Sequence, residues 1–222
     1  VSKAGTRLIG VGIHGIIIYS DDNGTNWEQA TVPTTKTLTD IDCVNKDVCW
    51  ATGHDAYILK TTDRGQNWII QYQDEIFDAP LLSISMFNEN AGIAVGAFAK
   101  SLMTTDGGNT WKELAFPSNQ KSITKIFIDR FDQLYAMDYS NLYSYNSITE
   151  EWTQLNINLL PKESNKVVEL KFDYNNKMYV LYYSKTGDHT EEGIFFSGDK
   201  GLNFNKIEFP QYSGKNLRLS TI

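Results

Sequence analysis

Thr61-Thr62-Asp63-Arg64-Gly65-Gln66-Asn67-Trp68 decides how this chain of 222 residues is read. Its frame is a hydroxyl residue, Asp two on, Gly four on and Trp seven on. The same frame returns at Ser20-Asp21-Asp22-Asn23-Gly24-Thr25-Asn26-Trp27 and at Thr104-Thr105-Asp106-Gly107-Gly108-Asn109-Thr110-Trp111. The tryptophans stand 41 and 43 residues apart. A turn motif recurring at that period predicts a radial array of small β-sheets, since about 40–45 residues suit one four-stranded propeller blade.

Working outward, Gly12, Gly53 and Gly96 each lie 15 residues before one of these tryptophans. Each ends a small-plus-apolar strand: Leu8-Ile9-Gly10-Val11, Cys49-Trp50-Ala51-Thr52 and Gly92-Ile93-Ala94-Val95. A third strand follows, then the polar octapeptide, then a last strand expected to open with the Trp. Leu38 to Val44 and Leu81 to Phe87 read as first strands, which makes four antiparallel strands per repeat. Two eroded repeats follow. Trp152 is preceded by Tyr145 to Glu151, without the Asp and Gly, and Phe204 replaces Trp after Ser197-Gly198-Asp199-Lys200-Gly201-Leu202-Asn203. The extra residues of the fifth repeat, 184–193, read as a loop between its middle strands.

Residues 7–11 look like a second strand without a first, and 217–222 alternate like a first strand without a blade. The predicted solution is an all-β, five-bladed propeller in which the C-terminal strand completes the N-terminal blade and hides both sheet edges. The predicted blades are 7–30 plus 217–222, 37–72, 81–115, 122–156 and 166–209, in one domain covering 1–222. A fragment of a six- or seven-bladed ring is the alternative.

Every part of the octapeptide has a structural account. The Asp accepts turn amides, as in Asx turns. The Gly supplies a positive φ, and the Trp covers the turn. Asp22, Gly24, Trp27, Asp63, Gly65, Trp68, Asp106, Gly108, Trp111, Asp199, Gly201 and Phe204 are therefore read as framework rather than as catalytic residues or metal ligands.

The frame Ser/Thr-x-Asp-x-Gly-x-x-Trp resembles the Asp-box, or BNR repeat, of sialidases, sortilin-type receptors and several glycosidases. The wider unit, from Cys49 through Gly53 to Asp63 and again at Gly92 to Gly96, is similar to blades of photosystem II stability/assembly-factor-like propellers. The likeness is good over 7–111 and weaker over 112–210. It implies an exported, non-enzymatic propeller that contacts other proteins. Those factors usually have seven blades and an arginine-rich surface. This chain has five apparent blades, an acidic balance and only Arg7, Arg64, Arg130 and Arg218.

The formal net charge is −7, and the 20 basic residues form no run, which argues against a nucleic-acid or anionic-membrane surface. No apolar stretch approaches the roughly 18 residues of a membrane-spanning helix. Cys43 and Cys49 flank a polar turn, and if Val44 faces Val48 the two cysteines oppose each other. Opposed Cβ atoms on antiparallel strands lie about 4.5–5.5 Å apart, so a small adjustment permits a disulfide. Two buried thiols are the alternative. The disulfide reading carries an exported, oxidising address with it.

Sialidase chemistry needs three converging arginines, and the four here are scattered. An inverting glycosidase needs two carboxylates about 6.5–9.5 Å apart in a cleft. Asp55, Asp74, Glu75, Asp78, Asp188, Glu191 and Glu192 are the candidates expected on the end opposite the octapeptides, a pool with little discriminating power because acids in surface loops are usually just solvated. His14, His54 and His189 fall between second and third strands. With Asp55 or Asp188 they could form a metal site only if the loops converge, whereas polar turns tolerate His without one.

The same end carries Tyr57, Phe77, Phe98 and Tyr139 near Gln71 to Asp78. Aromatic anchors in a polar rim suit a protein- or glycan-binding surface. The residues carried forward as a binding face are His14, His54, Asp55, Tyr57, Phe77, Phe98, Tyr139 and His189. The expected function is a monomeric, non-catalytic scaffold for a protein partner, with no cofactor and no metal. A lectin-like propeller and a glycoside hydrolase are the rivals.

Overall fold

The computed structural model describes residues 1–74, 76, 79–117, 122–155, 165–186 and 189–207. Among them lie five consecutive four-stranded antiparallel sheets, the number and order that a five-bladed propeller requires. The first holds β1 (Ser2–Ala4), β2 (Arg7–Val11), β3 (Ile17–Ser20) and β4 (Glu28–Gln29). The second holds β5 (Leu38–Cys43), β6 (Cys49–Gly53), β7 (Ile58–Thr61) and β8 (Ile69–Tyr72). The third holds β9 (Leu81–Met86), β10 (Gly92–Gly96), β11 (Ser101–Thr104) and β12 (Lys112–Glu113). Then come β13 (Lys125–Ile128), β14 (Leu134–Met137), β15 (Leu142–Asn146) and β16 (Glu151–Leu155). The fifth sheet is β17 (Asn165–Phe172), β18 (Met178–Thr186), β19 (His189–Ser197) and β20 (Asn205–Lys206).

Two compact units divide within β13: Val1–Ile126 carries the first three sheets and Phe127–Ile222 the last two. In the first unit every residue of β6 and β10 is buried. The period of two explains how a strand can bury both faces. Ile41, Cys49, Ala51 and Leu59 pack against Ala4, Ile9 and Ile17 of the first blade. The alternate residues Trp50 and Ile58 pack against Leu81, Ile84, Met86, Ala94 and Leu102 of the third. Carboxylates reinforce the second seam. Asp40 accepts from Ser83 Oγ at 2.9 Å and the Ile84 amide at 3.0 Å, and Asp42 from the Met86 amide at 2.7 Å. Burial pushes the Asp42 carboxyl upward, against the Met86 and Cys43 amides. In the second unit Tyr135, Met137 and Leu142 pack with Val167, Leu170, Val180, Tyr182 and Phe195.

Three expectations change. The place beside β2 is taken by Ser2–Ala4, with Ser2 opposite Ile9 and Ala4 opposite Arg7. The chain reverses there through Gly5 at φ 67°, a turn that the weakly β-forming Ser-Lys-Ala hides in the sequence. Segment 217–222 and Arg218 lie outside the described residues. Residues 184–186 and 189–193, expected in a loop, are strand: β18 and β19 stay paired from Met178↔Ser197 to Thr186↔His189. Thr186 and Thr190 suit a strand. Finally, Trp27, Trp68 and Trp111 stand one residue before their outer strands, while Trp152 lies inside β16.

Cys43 and Cys49 form the disulfide. They are directly opposed on β5 and β6, and the Val44 amide donates to Val48 O at 3.2 Å.

The hairpins joining the middle strands of the first three blades share one backbone. His14 and Gly15 have φ 56° and 71°, Asp55 and Ala56 54° and 52°, Phe98 and Ala99 51° and 58°. Such pairs of left-handed residues make the type I′ turn that matches strand twist. At Gly15 a Cβ would stand 2.0 Å from Thr34 O. Gly15→Ala is therefore expected to lose about 1–3 kcal/mol in urea unfolding. An unchanged midpoint would show that the Thr34 segment yields freely.

Candidate functional site

The two ends of the blades are built differently. At one end the octapeptides close the hairpins between third and fourth strands. In the first, Ser20 Oγ donates to Asp22 Oδ1 at 2.7 Å and accepts the Gly24 amide at 2.8 Å. Asp22 takes the Asn26 amide at 2.8 Å and its carboxamide at 2.7 Å. Thr61, Asp63, Gly65 and Asn67 repeat this geometry, as do Ser197, Asp199, Gly201 and Asn203. In the third turn Thr110 replaces Asn and gives Asp106 both its amide and its hydroxyl. Gly65 takes the left-handed φ of 81° that favours glycine, and a Cβ there would stand 2.8 Å from Ile9 Cδ1 of the preceding blade.

Cations tie these turns into the seam behind them. Arg7, almost fully buried, bonds Asp21 with two nitrogens and gives Arg64 O a third bond at 2.8 Å. Arg64 also reaches Asp21 at 3.3 Å. Lys60 Nζ lies 4.7 Å over the Trp50 ring and donates to Gly107 O at 2.7 Å. Arg130, in the second unit, bonds Tyr174 O. The arginines described are thus committed to structure.

The opposite end of the first unit carries the hairpin tips. His14 and His54 are exposed and Asp55 is half-buried, paired with Lys36. Tyr57 is half-buried and packs on the core of the first two blades. Phe98, in its left-handed turn, is 63% exposed. A polar line links the tips: Asp55 O accepts the Asp74 amide at 3.3 Å, and Asp74 meets Lys100 Nζ at 3.4 Å. Lys100, itself buried, also reaches Glu113 at 3.3 Å. Tyr139 is exposed on the second unit. His189 begins β19 there, and its side chain is outside the described residues, as are Phe77, Glu75, Asp78 and Asp188.

Sequence reading missed Ile13 and Ile16, which are exposed at the same end, as is Ile76 of the Gln71 to Asp78 segment. Ile13 and Ile16 flank a two-residue turn, so their alternation resembles strand rather than surface. Lys100 was also missed; only its position after Phe98-Ala99 hinted at it. Among the described residues no group of three His, Cys, Asp or Glu side chains is placed to hold a metal ion.

The octapeptide carboxylates are acidic. The Asn26 amide and carboxamide with Ser20 hold Asp22 down at about 2, and Asn203 with Ser197 does the same for Asp199. Thr110 lowers Asp106, and Asn67 with Thr61 lowers Asp63 against opposing burial. Folded-state values below the unfolded ones mean stabilisation that is complete above about pH 4 and lost as pH falls toward 2. Melting temperature should therefore hold between about pH 7 and 5 and fall between about 4 and 2. Asp22→Asn with Asp199→Asn should flatten that fall, and an unaltered fall would assign it to other carboxylates.

The family model described as photosynthesis system II assembly factor YCF48 matches residues 19–153. No curated protein matches the sequence. Among solved structures, YCF48 bound to a D1 peptide aligns with TM-score 0.71 and 17% identity over 92% of this chain and 66% of that one. A GH74 enzyme from Niastella koreensis aligns with TM-score 0.71 and 15% identity, over 91% of this chain and 36% of the enzyme. YCF48 from Cyanidioschyzon merolae aligns with TM-score 0.61 and 14% identity, over 92% and 82%. The chain thus spans less than two thirds of the first two structures, and identities this low speak for the fold alone. The family model covers more than half of the sequence, from the first octapeptide to Trp152, and the chain belongs to the family of the photosynthesis system II assembly factor YCF48.

Proposed function

We propose that this chain is a non-catalytic scaffold that binds a protein partner at the hairpin-tip end of its first three blades. The observation that carries the reading is Phe98, a large apolar side chain presented to solvent from a left-handed turn that glycine or asparagine would fill at lower cost. Ile13, Ile16 and Ile76 are exposed at the same end, where Lys36 pairs with Asp55 and Asp74 with the buried Lys100. An apolar centre in a polar border is the usual anatomy of a recognition surface. That a solved YCF48 is bound to a D1 peptide supports a peptide segment as the ligand.

The carboxylates at this end favour binding over hydrolysis. Asp55 and Asp74 are each paired with a lysine, Lys36 and Lys100, whereas a glycosidase needs two carboxylates turned to the substrate across a cleft. Export belongs to the same proposal, since the Cys43–Cys49 disulfide suits an oxidising compartment. The octapeptides are read as structural Asp-boxes, which leaves the tips as the working end.

Fluorescence anisotropy with a labelled D1 peptide and its scrambled counterpart tests this. Phe98→Asp combined with Ile13→Asp should weaken binding at least about tenfold while the melting temperature holds. Equal binding by native and variant would move the site elsewhere. Saturable binding of an oligosaccharide at these tips, with none of the peptide, would replace the scaffold with a lectin.

A further inference from the structure

The third octapeptide departs from the other two. In the first and second, the indole N–H of Trp27 and Trp68 donates to Gly24 O and Gly65 O, each at 3.0 Å. Trp111 Nε1 is buried and meets no acceptor among the described residues. Trp50 Nε1, on fully buried β6, and Gln71 Oε1, on β8, are buried and unpartnered as well.

These three atoms converge. A Cβ built on Gly108 would stand 2.8 Å from Gln71 Oε1, 3.2 Å from Trp50 Nε1 and 3.4 Å from Trp111 Nε1. Gln71 is directed there by a β-bulge. Ile58 opposes Tyr72 while Leu59 opposes Ile70, so Gln71 is the extra residue of β8. Bulges re-aim side chains in this way. The matching outer strands β4 and β12 pair without a shift.

We propose that Trp50, Gln71 and Trp111 form a binding site for a single water molecule between the second blade and the third octapeptide. The water accepts from both indole N–H groups and donates to the Gln71 carboxamide oxygen. Buried polar groups are almost always satisfied, so three orphans around one point signal a shared partner. Two donors and one acceptor match water, which typically makes about three bonds in such sites. A halide would take the two N–H groups and be repelled by the carbonyl oxygen. A metal cation would meet two donors, with the Lys60 ammonium close by at Gly107. The water does for the third turn what the direct Trp-to-Gly bond does for the others, joining it to the neighbouring blade as well.

Water-to-protein cross-relaxation on the indole resonances of the native protein tests the site. Trp50 and Trp111 Hε1 should show cross-peaks to a long-lived water, and Trp68 Hε1, bonded to Gly65 O, should show none. Gln71→Leu should abolish both cross-peaks. If that variant fails to fold, the native spectrum alone decides. Absence of the cross-peaks on Trp50 and Trp111 would overturn the proposal. So would a scalar coupling from either indole straight to the Gln71 carbonyl, or a saturable shift of both resonances on adding bromide, which would make the site an anion site.

Discussion

The hydroxyl–aspartate pair at the head of each octapeptide is the interaction on which the first, second, third and fifth blades depend. One oxygen, Thr61 Oγ1 in the second blade, donates to Asp63 and receives the Gly65 amide at 3.1 Å. Asp63 in turn gathers the Gln66 and Asn67 amides. A tight polar turn thereby satisfies its own backbone without help from the sheet. Its glycine then fits against the blade before it. Gly65 faces Ile9, and in the second unit Gly201 faces Leu155, each with a prospective Cβ within 2.8 Å of the neighbour. Fixing the turn therefore also fixes the seam.

The seams carry the second layer of order. Apolar residues at alternate positions of β6 and β7 supply most of the area, and polar side chains set the register between blades. Asp40 and Asp42 reach main-chain groups of β9, Arg7 caps the second octapeptide and Lys60 caps the third. Each is a buried or half-buried charge used with a definite partner, which is how such groups persist between packed sheets.

These two layers differ in how far the sequence reveals them. The repeat frame, the four-strand unit and the Cys43–Cys49 opposition are local, with the partners of each octapeptide within four residues, and the sequence displays them. The seam bonds join residues 40 to 60 positions apart, and nothing in Asp42 or Arg7 marks the distant partner. Ser2–Ala4 was hidden because three short residues carry little strand propensity, and the β18–β19 extension because Gly187 and the charges around it imitate a loop. At the tips, His14, His54 and Phe98 were legible as turn residues. Ile13 and Ile16 were not, because their exposure depends on a left-handed turn built from His-Gly rather than Asn-Gly. Trp50 was read as an ordinary strand residue and Gln71 as part of the tip segment running to Asp78, because a bulge in β8 leaves no mark in composition.

The proposal that recognition lies at the hairpin tips rests on the octapeptides being frame, so the frame is what must be tested. Native-state hydrogen exchange of the Gly24, Gly65, Gly108 and Gly201 amides does this directly, since each donates to an octapeptide hydroxyl at 2.8–3.1 Å. The account predicts protection within about tenfold of the β6 and β10 amides in the first unit, and of the β18 amides in the second. Exchange at the rate of an open surface turn would contradict it, and would return the octapeptides to the list of places where this protein could act.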